Sequence, residues 1–89
     1  MLKISTKGNH DAVTLQLEGT LSGPSLTDFG RVWESARVQH YRKHLQIDLT
    51  RVSLVDQLGK ELLALAAQYG TRLKAKGPMM AAVNEILSA

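Results

Sequence analysis

The sequence predicts an α/β fold in two layers, a four-stranded mixed sheet with helices on one face. Four segments alternate apolar and polar residues with the period of a strand, and three others repeat apolar residues with the spacing of a helix. Their order along the chain is β-β-α-β-α-β-α, so strands that are joined by a helix are expected to be parallel. The turn-rich residues 8–11 between the first two strands predict an antiparallel hairpin, which makes the sheet mixed.

The four predicted strands, residues 2–5, 13–18, 45–50 and 72–76, carry their apolar side chains on one face only. Strands that are covered on both faces read as continuous apolar runs, and these strands do not. We therefore expect helices against one face and water against the other. The residues of the apolar face are predicted to be Leu2, Ile4, Val13, Leu15, Leu17, Leu45, Ile47, Leu49, Leu73 and Ala75. The basic fourth strand is expected at an edge, where charges discourage pairing with another chain.

Three helices are predicted from apolar residues that recur every three to four positions. Ser25 is the expected N-cap of the first helix. Gly70 is expected to end the second helix, and Pro78 to begin the third. The predicted buried stripes are Leu26, Phe29, Trp33 and Ala36 in the first helix, Leu58, Leu62, Leu65, Ala66 and Tyr69 in the second, and Met79 or Met80, Val83, Ile86 and Leu87 in the third.

Length and composition restrict the class of protein further. A chain of 89 residues is expected to form one domain, residues 1–89. It has no cysteine, which excludes disulfides, thiolate metal sites and thiol catalysis. No apolar run reaches the roughly 20 residues that cross a bilayer, and the alternating N-terminus is unlike a signal peptide. We therefore expect a cytoplasmic protein that does not insert into a membrane.

The sequence contains no arrangement of residues that is typical of catalysis. Its serines lack the strained turn that exposes a nucleophile, and its glycines lack the spacing and the lysine of a phosphate-binding loop. His40 and His44 are four residues apart, but the cations between them disfavour a bound metal ion, so solvated histidines are expected. The sequence predicts that the protein is not an enzyme and has no cofactor and no metal site.

The most informative segment joins the third strand to the second helix. Asp56 is placed to cap that helix with its carboxylate, and Gly59 in the first turn would allow close packing or a tight start. The backbone amides and the positive dipole end of a helix start can receive an acidic group from a partner. The start of the second helix is therefore a candidate binding site.

This segment, residues 45–59, resembles the pattern of STAS domains. In that pattern a strand ends in residues like Asp48-Leu49-Thr50, and an aspartate and a glycine, here Asp56 and Gly59, mark the start of a helix. Residues 17–22 resemble the second strand of the family and its corner. The resemblance is to the anti-sigma factor antagonists of this family and covers most of the chain. Family members often have a longer C-terminal portion, so the chain would be a STAS-like domain that is shortened at its C-terminus.

The resemblance includes one departure that concerns regulation. In anti-sigma factor antagonists the first serine after the aspartate is phosphorylated by the partner kinase, and the added charge releases the partner. Gln57 stands at that position and has no hydroxyl to accept a phosphoryl group, so phosphorylation is not expected there. The next position, often a hydroxyl residue, is Leu58, and the usual aspartate of the second-strand corner is Ser22.

The resemblance implies a non-catalytic regulatory module that binds an anti-sigma factor or a related kinase-like protein without the serine switch. The implied partner-binding residues are Asp56, Gln57, Leu58, Gly59, Lys60, Glu61 and Ser22. A second interpretation within the family is the small STAS subunit of a bacterial lipid-transport ABC complex, whose helix start contacts the ATPase subunit. The sequence is also compatible with a homodimer.

A different class of function is a nucleic-acid or anionic-surface binder. It would use Arg72, Lys74 and Lys76 on the polar face of the sheet, and the net charge of +3 allows it. The charges are spread along the chain and do not form one basic stretch. Nucleic acid is therefore the less favoured partner.

Overall fold

The computed structural model describes residues 1–88 and contains the elements in the predicted order. The strands are β1 (Leu2–Gly8), β2 (Ala12–Leu21), β3 (His44–Val55) and β4 (Arg72–Lys74), and the helices are α1 (Ser25–Gln39), α2 (Gln57–Gln68) and α3 (Pro78–Ser88). Within residues 1–88, none of the helices is both long and apolar enough to cross a membrane. The order β-β-α-β-α-β-α is confirmed.

The four strands form one mixed sheet whose spatial order, β1-β2-β3-β4, is also the order of the chain. β1 pairs with β2 antiparallel, whereas β3 pairs in parallel with both β2 and β4. The hairpin between β1 and β2 closes at Asn9, whose side-chain oxygen accepts hydrogen bonds from the amides of Asp11 and Ala12 at 2.9 Å each. The basic strand β4 lies at an edge, as predicted.

The sheet has one apolar face and one polar face, which confirms the two predicted layers. All residues predicted for the apolar face lie in, or pack against, one hydrophobic core. The helices close this core from the same side through residues such as Phe29, Leu63 and Val83. The indole N–H of the buried Trp33 donates a hydrogen bond to the hydroxyl of Thr71 at 3.1 Å, so its polar atom is satisfied inside the core.

The strands next to the α2 start are longer than the sequence indicates. β3 continues to Val55 through residues predicted as a connector, because β2 also continues and pairs with it as far as Leu21. Shifts of register interrupt this pairing around residues 16–20, where Gly19 has a φ of 109°. At the other edge, β4 ends at Lys74, so the buried Ala75 follows the strand instead of belonging to it.

Two predictions at helix ends are wrong. Ser25 does not cap α1, because it is already the first residue of the helix and Pro24 takes the N-cap position without a side-chain hydrogen bond. Leu87 belongs to the predicted stripe of α3 but is exposed, since α3 packs on the core through Val83 with Ile86 partly buried.

The buried face of α2 also differs from the prediction. The buried residues of this helix are Gly59, Leu63 and Ala66. The other members of the predicted stripe are exposed or only partly buried, and they are Leu58, Leu62, Leu65 and Tyr69. The helix carries two adjacent apolar faces, and the small Gly59 and Ala66 let the face that contains them approach the sheet. Helical spacing alone cannot distinguish two such faces.

Candidate functional site

The start of α2 is fixed against the end of β2 by hydrogen bonds to Asp56. The carboxylate oxygen Oδ1 of Asp56 accepts from the amide of Gly59 at 2.7 Å, which confirms the predicted helix cap. Its other oxygen, Oδ2, accepts from the amide of Gly23 at 3.3 Å. The amide of Asp56 in turn donates to the carbonyl of Leu21 at 3.3 Å. One residue therefore joins the β2–α1 corner, the end of β3 and the first turn of α2.

Gly59 allows this arrangement because no larger residue fits at its position. A Cβ atom placed there would lie 2.7 Å from the carbonyl oxygen of Leu21 and 2.9 Å from Cγ1 of Val55. Both distances are shorter than ordinary van der Waals contacts, and the first involves backbone that cannot rotate away. The first turn of α2 thus packs directly on the ends of β2 and β3.

The residues predicted to bind a partner divide into a frame and a surface. Asp56 and Gly59 form the frame: Gly59 is buried, and its amide is already bonded to Asp56. The exposed side chains are those of Gln57, Leu58 and Glu61, while Lys60 and Ser22 are partly exposed. We call these five residues the α2-start surface. The hydrogen bond between Gly23 and Asp56 brings the corner that contains Ser22 to the start of α2.

A shallow groove of about 180 Å³ adjoins the α2-start surface. Gln57, Lys60 and Glu61 form one side of the groove, and Glu85 and Ile86 of α3 form the other. The residues of α3 were not predicted, because only the packing of α3 beside α2 brings them here. The groove combines an amide, one cation, two carboxylates and an apolar floor, and this mixture is typical of a protein-binding surface more than of a pocket for a small anion.

Leu54 is a second residue that the sequence analysis missed. It is 56% exposed at the end of β3, two residues before Asp56, and Leu58 is 64% exposed two residues after Asp56. The start of α2 is therefore flanked by two leucines that water surrounds on more than half of their surface. Neither leucine packs against the hydrophobic core, so both side chains are accessible to a partner.

The hydroxyl group of Ser53, close to the α2 start, is involved in local structure. Gln57 itself has no hydroxyl; Ser53 is the serine closest to it in sequence, and Ser22 lies at the corner that the hydrogen bond between Gly23 and Asp56 brings to the start of α2. The hydroxyl of Ser53 donates to the carbonyl of Gly19 at 3.1 Å across β2 and β3. It therefore belongs to the sheet and lies before the helix, whereas the serine of the antagonist pattern follows the aspartate.

The polar face of the sheet carries mixed charges. Arg72 and Lys74 are exposed on β4, but Asp48 lies opposite Lys74 in the neighbouring strand. Burial alone would raise the pKa of Asp48, yet hydrogen bonds from the amide and hydroxyl of Thr50, at 2.9 and 2.7 Å, together with the charges of Lys74 and Arg51, lower this pKa below its usual value. An ionised carboxylate thus interrupts the basic surface on which a nucleic-acid phosphate would bind.

The acidic and histidine side chains of residues 1–88 are dispersed. In that part of the chain no group of three or more His, Cys, Asp or Glu side chains is arranged to hold a metal ion. His40 is the C-cap residue that follows α1 and is partly buried, whereas His44 begins β3 and is exposed.

Three solved structures of anti-sigma factor antagonists share this fold. The antagonist from Mycobacterium paratuberculosis matches with a TM-score of 0.79 at 16% identity, over 88% of this chain and 70% of that one. The antagonist SpoIIAA in its unphosphorylated form matches with a TM-score of 0.67 at 22% identity, over 91% and 80%. The STAS domain of an antagonist from Rhodobacter sphaeroides matches with a TM-score of 0.61 at 18% identity, over 85% and 86%. The fold is therefore SpoIIAA-like, the STAS fold that the sequence resemblance predicted.

The similar structures show the fold of this chain but do not show its activity. The protein Mglu also contains this fold, with a TM-score of 0.65 at 20% identity, but the match covers 83% of this chain and only 19% of that one. No protein-family model matches the sequence, and no curated protein is significantly similar to it. Function must accordingly be argued from the residues of the site.

Proposed function

We propose that this protein is a regulatory interaction module of the anti-sigma factor antagonist type, which binds a protein partner through the α2-start surface and catalyses no reaction. The observation that carries the proposal is the rigid presentation of exposed side chains at the start of α2. Asp56 and Gly59 fix the backbone there, while Gln57, Leu58 and Glu61 stay accessible. A preformed surface loses little conformational entropy on binding, which favours affinity.

Binding alone would carry out the regulation. The module would occupy a partner's surface and so prevent that surface from contacting anything else. Gln57 can donate and accept hydrogen bonds but accepts no phosphoryl group, so the complex would not be released by phosphorylation at this position. The fraction of the partner held in the complex would instead depend on the concentrations of the module and of competing partners.

The proposed partner is an anti-sigma factor or a related kinase-like protein in the bacterial cytoplasm, where the module would regulate transcription. Support comes from the shared fold of three anti-sigma factor antagonists and from the local resemblance around Asp56 and Gly59. The ATPase subunit of a lipid-transport ABC complex is the alternative partner, because the same helix start would contact it. Identification of the bound protein distinguishes the two.

The experiment is a pull-down from source-cell extract with two matched variants, Gln57→Arg and Gln68→Arg. Both place the same large cation on an exposed glutamine of α2, at opposite ends of the helix. Gln57→Arg is expected to remove at least about 90% of one specific partner, since about 1.4 kcal/mol of lost affinity lowers binding tenfold. Gln68→Arg should retain that partner. Equal recovery by both variants would contradict a binding site at the α2 start.

A second experiment tests independence from phosphorylation. The purified partner and ATP are incubated with the module, and intact mass and partner affinity are measured before and after. No added phosphate is expected. Stoichiometric phosphate on Ser22 or Ser53 together with altered affinity would show that a serine switch operates at a different position.

A further inference from the structure

β1 forms one edge of the sheet, and no strand within residues 1–88 lies on its outer side. Two hydrogen bonds show which of its backbone groups face outward. The amide of Thr20 donates to the carbonyl of Met1 at 3.2 Å, and the amide of Asn9 donates to the carbonyl of Ala12 at 2.9 Å. Because alternate residues of an antiparallel pair direct both backbone groups to the partner strand, the odd-numbered residues of β1 bond to β2. The residues whose amides and carbonyls face outward are Leu2, Ile4, Thr6 and Gly8.

We propose that this outer edge of β1 binds an extended segment of a partner protein, which adds to the sheet as an antiparallel strand and alternates apolar with acidic residues. The outward amides and carbonyls would hold the segment by backbone hydrogen bonds. β1 pairs with β2 over seven residues without a shift of register, so its outer edge is regular enough to accept another strand. The edge shares no residue with the α2-start surface, and the inference does not depend on the proposed function.

The charges of β1 favour acidic side chains on the open face of the sheet. Lys3 and Lys7 are exposed, and the ion pairs within residues 1–88 involve neither of them. Glu18 of β2 lies opposite Lys3, but it also lies opposite Arg51 of β3, so one carboxylate faces two cations. Lys7 lies opposite the neutral Thr14. A second copy of this chain is disfavoured at the edge, because antiparallel pairing of two β1 strands brings their lysines together.

On the side of the helices, the edge leaves room for apolar side chains. Ile4 of β1 and Val32 of α1 pack against the core but are only partly buried. A groove of about 270 Å³ lies between Thr6 and α1, and its α1 side includes Val32 and Ala36. Apolar residues of an added strand would lie against this groove and cover more of Ile4 and Val32. Because side chains alternate along a strand, the residues between them would lie beside the lysines on the open face.

Titration calorimetry with synthetic peptides tests the proposal on the intact protein. The probe is a capped heptapeptide in which glutamate and valine alternate, and it is expected to bind with a Kd below about 1 mM. Two matched peptides carry N-methyl groups on the amides of either the valines or the glutamates. Residues that lie directly opposite in an antiparallel pair share a face, so the valines would donate the hydrogen bonds to the outward carbonyls of β1.

Methylation of the valines should therefore weaken binding by about tenfold or more, and methylation of the glutamates should not. The proposal would be overturned if the unmodified peptide did not bind at about 1 mM. It would also be overturned if methylated glutamates weakened binding as much as methylated valines.

Two variants at one position test the site in the protein itself. Thr6→Pro removes an outward amide without removing a hydrogen bond to β2, and edge strands tolerate proline at such positions. It is expected to lower the affinity for the unmodified peptide by about tenfold or more, whereas Thr6→Val retains the amide and should bind like the wild type. Urea denaturation followed by tryptophan fluorescence checks that both variants are folded. Equal affinity of two folded variants would refute binding at this edge.

Charge reversal tests the preference for an acidic segment. The double variant Lys3→Glu and Lys7→Glu should bind the glutamate peptide about tenfold more weakly, and it should prefer a peptide in which lysine replaces glutamate. Lys76→Glu changes an exposed lysine outside β1 and should retain the preference of the wild type. An unchanged preference in the double variant would rule out an acidic partner. Because no partner protein is used, the result is independent of the pull-down.

Discussion

Asp56 has two roles at the scale of the residue, because its two carboxylate oxygens serve different segments. One oxygen caps α2, and the other holds the corner after β2 through the amide of Gly23. An ordinary helix cap satisfies only its own helix. The loss of this side chain would therefore release two backbone amides and loosen the corner that carries Ser22.

We expect Asp56→Ala to lower the free energy of unfolding by about 2 kcal/mol, more than the roughly 1 kcal/mol of a typical cap. Asp56→Asn should retain most of the stability, because asparagine caps helices as well as aspartate does. Urea denaturation followed by the fluorescence of the single tryptophan measures both variants. The control is Asp28→Ala, which removes an exposed ion pair with Arg31 and should cost less than about 1 kcal/mol. Similar losses in Asp56→Ala and Asp28→Ala would contradict the double role of Asp56.

At the scale of the element, the sequence predicts α2 only in part. The helix start could be predicted from Asp56 and Gly59 because a cap and a close approach depend on neighbouring residues. The buried face could not, because α2 has two apolar faces and the choice between them depends on contacts with the sheet. Leu54 and Glu85 were missed for a related reason: their positions follow from the length of β3 and the packing of α3.

Replacement by alanine is expected to have opposite effects at Gly59 and at Gly30, because only Gly59 is in close contact with the backbone of the sheet. Gly59→Ala should destabilise the protein by about 1–3 kcal/mol, because the added methyl group meets the backbone of Leu21. Gly30→Ala in α1 meets only Leu62 at an ordinary contact distance and should stabilise the protein by up to about 1 kcal/mol, since alanine favours helix. Thermal unfolding followed by circular dichroism compares the two. A stabilising Gly59→Ala would show that α2 can move away from the sheet.

At the scale of the whole molecule, the predicted architecture of two layers is confirmed because it depends on many residues at once. The alternation in the strands defined the covered face, and errors of several residues at the ends of β3 and β4 did not change it. The polar face is likewise a property of the whole sheet. Asp48 of β3 lies opposite Lys74 of β4 on it, so its charge contributes to the pairing of the edge strand.

The lowered pKa of Asp48 predicts a contribution to acid stability. The carboxylate of Asp48 binds a proton more readily in the unfolded chain than in the folded protein. Its contribution to the free energy of unfolding is therefore fully present above the unfolded-state pKa, and it is lost as the pH falls through the lower folded-state pKa. Asp48→Asn should therefore be less stable than wild type at pH 7, and the difference should shrink below about pH 4. Urea titrations at several pH values measure it. When Thr50→Val is also present, the stability lost through Asp48→Asn should be smaller, because the hydroxyl of Thr50 donates a hydrogen bond to Asp48. A loss of stability in Asp48→Asn that does not vary with pH would contradict this account.

The sequential order of the strands has a consequence for biosynthesis. Each strand after the first adds beside the strand made just before it, so none must wait for a later segment to occupy a gap in the sheet. As the ribosome releases the chain, the β1–β2 ribbon can form first and then template β3 once α1 has emerged. β4, the shortest strand, is added last and completes the sheet together with the final helix.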